Sequence, residues 1–192
     1  MRLLSCLFAL FIGLSATFGG NGMAAYAAGA EPITDPENTL VLMLKTGKVV
    51  IALRPDLAPH TVMRVKQLTR QGFYDGTPFH RVIEGFMAQG GDPTGSGIGG
   101  SGFKLQAEFS AEPFLRGVVS MARASGFDSA DSQFFIVLAD SHKLDGKYTI
   151  FGTVIDGMDH VDEIKKGDES KDGRVTAPDR IVWMKVASDV KE

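Results

Sequence analysis

From Thr39 onward, apolar residues come in short runs bounded by Gly, Pro, Asp or Ser, a pattern of strands and tight turns. Residues 39–46 and 48–53 flank Gly47 as a hairpin, and further strands are predicted at 79–83, 86–89, 118–121, 134–137, 149–155 and 181–187. Apolar spacing becomes helical in two places. Pro59 can open a first turn, Val62, Val65 and Leu68 then share a face, and Gly72 stops the element. Residues 158–166 form a second, shorter candidate ended by Gly167, followed by a charged, turn-rich stretch over 168–180 that reads as a solvated face. Many strands, few helices and no alternating βαβ order predict a mainly β fold, a closed eight-stranded antiparallel barrel capped by two helices, rather than a parallel sheet. No repeat of 20 to 50 residues is present.

The first thirty residues follow a different rule. Met1-Arg2, an apolar run over 3–18 and small residues over 24–30 read as a signal peptide with A-x-A cleavage sites after Ala27 or Ala30. The run is shorter than the ~18 to 20 residues of a membrane-spanning helix. Most of that apolar run lies after Cys6, whereas a lipid-anchored chain should be polar beyond its cysteine. The expected organisation is therefore a leader at 1–30, a Pro- and acid-rich linker at 31–38 and one domain at 39–192. Export implies an oxidising compartment, here the periplasm, yet Cys6 is the sole cysteine and leaves with the leader, so stability must come from packing. The 20 basic and 23 acidic residues, less Arg2, argue against a nucleic-acid footprint.

Candidate chemistry narrows quickly. Gly95-Ser96-Gly97-Ile98-Gly99-Gly100 satisfies G-x-G-x-x-G, but Asp92-Pro93 precedes it and no helical pattern follows, so it reads as a flexible surface loop rather than a dinucleotide site. His60, His80, His142 and His160 show no metal-ligand spacing, and no G-x-S-x-G elbow occurs. What remains is Phe79-His80-Arg81-Val82-Ile83-Glu84-Gly85-Phe86-Met87-Ala88-Gln89-Gly90-Gly91, one permanent cation and one amide among apolar side chains. Alternation places Phe79, Arg81 and Ile83 on one face and His80 behind it. A turn at Glu84-Gly85 then presents Phe86, Met87 and Gln89. The pattern describes a dry pocket with a fixed donor.

Together with Ser132-Gln133-Phe134-Phe135-Ile136-Val137 and Leu144-Asp145-Gly146-Lys147-Tyr148, this segment resembles the cyclophilin family of peptidyl-prolyl cis/trans isomerases, over about residues 40 to 186. The resemblance implies that Arg81 is the catalytic arginine and that Gln89 orients it or the substrate. It implies a proline pocket of Phe86, Met87, Phe135 and Leu144, and peptide contact along Ala122 and Arg123. Many relatives carry Asn at the position of Arg123, many eukaryotic ones His at Tyr148, and cyclosporin-sensitive ones Trp at Lys143. The last two departures resemble bacterial members and predict poor cyclosporin inhibition. The implied partners are proline-containing unfolded or folding polypeptides, with no metal or organic cofactor, no nucleic acid, no stable membrane insertion and a monomeric state.

The residue types suit the chemistry. An X-Pro bond prefers trans by only ~0.5 to 1 kcal/mol but rotates over a barrier of ~18 to 20 kcal/mol, because the nitrogen lone pair is delocalised into the carbonyl. A dry pocket disfavours the dipolar planar amide, and a rigid guanidinium can donate to the carbonyl and toward the pyramidalising nitrogen. The alternative is a chaperone module that grips proline segments in the same groove with little or no catalysis. A secreted hydrolase has no nucleophile or metal pattern to support it.

Overall fold

The computed structural model describes residues 33–191; the expected leader and the start of the linker lie outside them. Eight strands form, β1 (Thr39–Met43), β2 (Lys48–Leu53), β3 (Arg81–Ile83), β4 (Met87–Gly90), β5 (Val118–Met121), β6 (Phe134–Val137), β7 (Ile150–Asp156) and β8 (Trp183–Val186). They make one antiparallel sheet in the order β3-β4-β6-β5-β7-β2-β1-β8. The mainly β class and the two helices are those expected from the sequence.

The expected closure is not present. β3 and β8 end the sheet without pairing to each other, so it is an open, curled half-barrel. Instead, the charged stretch after the second helix takes the free edge next to β3. Val82 donates to the Gly173 carbonyl at 2.8 Å, Val175 to that of His80 at 3.0 Å and Phe79 to that of Asp179 at 2.9 Å. These bonds use groups that a closing strand would have needed, and β3 is only three residues long.

Helix α1 (Pro59–Arg70) buries Val62, Val65 and Leu68. Its Ala58 cap offers no side-chain acceptor, and the distant Glu108 carboxylate takes the role, accepting from the amides of His60 at 3.0 Å and Thr61 at 2.9 Å. Helix α2 (Met158–Asp162) is shorter than the 158–166 expected. Lys165 donates its amide to Asp179 and Gly167 its amide to the Val82 carbonyl, both at 2.9 Å, so the chain leaves the helix to reach β3.

Strand alternation sorts the buried side chains into two groups. Phe134 and Ile136 of β6 join the main core with Leu40, Leu42, Ile51 and Phe151. Phe135 and Val137 point the other way, into a smaller cluster with Met87, Phe114, Val118 and Ile150. Phe79 departs from the expected face: it lies in the main core, whereas Ile83 packs on the smaller cluster. The reason is that regular strand geometry begins only at Arg81, after the irregular pairing of Pro78 with Arg180.

Candidate active site

The β3–β4 hairpin turns through Gly85, whose φ of 65° is left-handed and open to glycine without strain. That turn sets Arg81 opposite Gln89 and Ile83 opposite Met87. The next pairings place Phe135 opposite Gln89 and Ser120 opposite Phe135, so the cation, the amide and the ring form a row across neighbouring strands.

Arg81 is held on two sides. Its Nη1 donates to Gln89 Oε1 at 3.2 Å and lies 3.8 Å from Met87 Sδ. On the other side, Nη2 donates to Asp172 Oδ1 at 2.8 Å, and Nε to the Asp172 carbonyl at 3.0 Å and Oδ2 at 3.1 Å. The Arg81 hydrogen bonds and charge hold the Asp172 carboxyl below the usual aspartate range. With Nε bound to Asp172 and Nη1 donating to Gln89 Oε1 and weakly to Met87 Sδ, Nη2 keeps a second hydrogen without a partner, and the thioether is a weak enough acceptor for a carbonyl to displace it from Nη1. Behind the arginine, Gln89 Nε2 donates to Gln133 Oε1 at 2.9 Å, and Gln133 Nε2 to the carbonyls of Gly97 at 3.0 Å and Gly99 at 2.9 Å.

Arg81 and Gln89 wall a cavity of about 120 Å³ whose other lining residues are Phe86, Met87, Ala122, Arg123, Phe135, Leu144 and Tyr148. Every candidate site residue from the sequence therefore comes to one place. Met87 and Phe135 are buried beneath it. Phe114 stacks against Phe135 with centroids 6.2 Å apart, and Tyr148 meets the same ring edge-on at 5.7 Å. The Lys143 ammonium stands 3.9 Å above the Phe86 ring. Arg123 is half-buried, its guanidinium 4.7 Å from the Tyr148 centroid and 5.2 Å from that of Phe127, with Nε donating to the Lys147 carbonyl at 3.1 Å.

Three supports were missed from the sequence. Asp172 lies in the stretch read as a solvated face, and nothing local marks it as the tether of Arg81. Phe114 sits in an irregular segment, outside any strand pattern. The glycine-rich loop is organised rather than free: although burial pushes the Asp92 carboxyl up, hydrogen bonds from Thr94, Gly97 and Gly99 bring it down to about 2. A carboxylate just before Gly-rich sequence could have signalled this loop. His80 is buried with neither ring nitrogen hydrogen-bonded, and burial lowers its pKa. Among the described residues, no group of three His, Cys, Asp or Glu side chains is arranged to hold a metal.

The family model described as cyclophilin type peptidyl-prolyl cis-trans isomerase/CLD matches residues 39–186. The chain belongs to this family. It is thus a cyclophilin and an isomerase by class. A probable peptidyl-prolyl cis-trans isomerase of Brucella suis is 50% identical over 169 residues, covering 82% of this chain and 86% of that protein. Peptidyl-prolyl cis-trans isomerase B of Bacillus subtilis is 43% identical over 130 residues, covering 67% and 90% respectively. Among solved structures, a cyclophilin of Hirschia baltica superposes with a TM-score of 0.73 at 28% identity, covering 82% of this chain and 76% of that one. A Cryptosporidium parvum cyclophilin type isomerase, solved in the presence of the dipeptide Ala-Pro, gives a TM-score of 0.70 at 30% identity, covering 77% and 98%.

Proposed function

We propose that this cyclophilin accelerates X-Pro rotation in folding exported polypeptides, with Arg81 donating to the prolyl amide beside the apolar cavity. The observation that carries the reading is a guanidinium fixed by Asp172 and Gln89 at the wall of a small cavity floored by Met87 and Phe135. A proline ring seats against that floor and Phe86, Leu144 and Tyr148, while the backbone follows Ala122 and Arg123. The free and the displaceable Arg81 hydrogens meet the carbonyl and then the nitrogen as the amide twists. The fork is already oriented, so little ordering is required as the transition state forms. A hydrogen bond to a charged group contributes ~1.5 to 3 kcal/mol, or about one to two orders of magnitude in rate. The remainder comes from tighter binding of the twisted amide than of the planar one.

The solved Cryptosporidium parvum relative in the presence of Ala-Pro supports a proline-containing substrate. Arg81→Ala should reduce turnover of a prolyl peptide at least about tenfold with the fold intact. An unchanged rate with retained peptide binding would move the assignment to a proline-gripping chaperone module. Lys143 offers no flat apolar face, so cyclosporin should inhibit poorly; nanomolar inhibition would contradict that. The domain acts as a monomer in the periplasm after the leader is cleaved behind Ala27 or Ala30. N-terminal sequencing of the periplasmic protein should find a start at Ala28 or Glu31, and an intact Met1 would refute removal.

A further inference from the structure

Three cavities meet at Gln89. The proline-sized one shares Gln89, Ala122 and Arg123 with a cavity of about 250 Å³ that Lys104 and Asp131 also line. It shares Arg81 and Gln89 with another of about 220 Å³, bounded by Lys171, Asp172 and Arg174. The combined groove therefore presents Arg81, Lys104, Arg123, Lys171 and Arg174 against Asp131 and Asp172 in its lining and Asp168 beside it, which pairs with Lys171 at 3.4 Å. Over the whole chain the balance is reversed, with 20 basic and 23 acidic residues. Positive charge is concentrated where the peptide would lie.

Both groove carboxylates are already engaged. Asp131 accepts from the Ser101 amide and hydroxyl at 2.6 Å each and from the Gly102 amide at 3.1 Å, with Lys104 at 3.4 Å. Asp172 is bound to Arg81. By contrast, neither Arg123 nor Arg174 pairs with a carboxylate among the described residues. The Arg123 hydrogen bonds go to the carbonyls of Lys147, Ala124 and Ser125, while the rings of Tyr148, Phe127 and Phe109 hold its plane. Its Nη2 makes no hydrogen bond among the described residues.

Resting on the proposed isomerase reading, we infer that the groove selects proline segments carrying Asp or Glu within a few residues of the proline, with Arg123 and Arg174 meeting those carboxylates in the two outer cavities. An arginine fork matches a carboxylate, and at Arg123 the aromatic clamp has already restricted the side chain before the peptide arrives. A cleft lined by one sign of charge also concentrates oppositely charged ligands, an effect that salt screens.

The test compares peptides Xaa-Ala-Pro-Ala-Xaa in which both Xaa are Glu, Gln or Lys, measuring kcat/KM by NMR exchange and Kd by titration in low and high NaCl. The Glu peptide should exceed the Lys peptide by about five- to tenfold in low salt, with Gln between, and the ratio should shrink at least about threefold near 0.5 M NaCl. The double variant Arg123→Gln/Arg174→Gln should lose most of that ratio. Equal Glu and Lys values in both measurements, or a preference indifferent to salt, would overturn the inference. If the Gln peptide binds without being turned over, the isomerase mechanism fails while the Kd ratio still decides the charge preference.

Discussion

Phe134 and Phe135 are neighbours on β6, both buried and both ringed by aromatics, yet they serve opposite sides of the sheet. Phe134 meets Tyr74, Phe79 and Phe151 edge-on inside the main core. Phe135 packs on Phe114 and Tyr148 but leaves a cavity of about 120 Å³ above it. One face is filled to exclude everything, while the other is filled only to its floor. The difference lies in the outer neighbours: Phe86, Leu144 and Tyr148 surround the cavity without covering it. A single strand therefore carries both stability and a binding surface, separated by the period of two.

Exchanging each ring for a methyl group breaks this comparison most severely. Phe134→Ala should cost about 3 to 5 kcal/mol in denaturant unfolding. Phe135→Ala should cost less, because its cluster already borders solvent, but should raise KM for a prolyl peptide much more per kcal/mol lost. Equal stability losses with equal kinetic effects would show that the two faces are not functionally distinct.

The legibility of the molecule follows the same division. Alternation and turn residues located the eight strands to within a few residues, and the family resemblance named Arg81, Gln89 and Phe135 as site residues, but their row across neighbouring strands is set by pairing registers that the sequence reading did not give. Those signals are local. Asp172 reaches Arg81 across 91 positions and Phe114 reaches Phe135 from an irregular segment, so neither contact leaves a periodic trace. The failed barrel closure has the same origin, since edge pairing by residues 173–179 depends on where a turn-rich stretch lands rather than on its own pattern.

Removing the donor sharpens the catalytic side. Arg81→Lys keeps the charge but loses the fork and its bond pattern, so it should recover little of the deficit of Arg81→Ala, which is at least about tenfold in kcat/KM. Stability should change little in either. Full recovery by lysine would mean that charge alone suffices and that the oriented fork is irrelevant.

A smaller effect is expected at the tether. Asp172 has φ 54°, so Asp172→Asn is the suitable probe: asparagine tolerates that conformation and removes only the charge. Exposed pairs contribute ~0.2 to 1 kcal/mol, which corresponds to a loss of about fivefold or less in kcat/KM. The loss should appear in kcat rather than KM if the pair aligns the donor for the twisted amide. A change confined to KM would place Asp172 in substrate binding instead.

Acid separates the buried ring of His80 from the Arg81–Asp172 pair beside it. Burial lowers the pKa of His80 below its ordinary 6.5, so the unfolded chain takes up a proton at a pH where the folded protein does not. Stability from this residue is complete above that ordinary value and declines as pH falls from it toward the folded pKa. The pair should behave differently over the same interval: the Asp172 carboxyl, held below the usual 3.8 by the Arg81 guanidinium, stays ionised. Between pH 7.5 and 5, unfolding free energy should therefore fall more in the wild type than in His80→Leu, while turnover per folded molecule stays flat in both. Parallel stability curves would remove His80 as the acid-sensitive group, and a matching fall in turnover would show that the buried ring communicates with the arginine beside it.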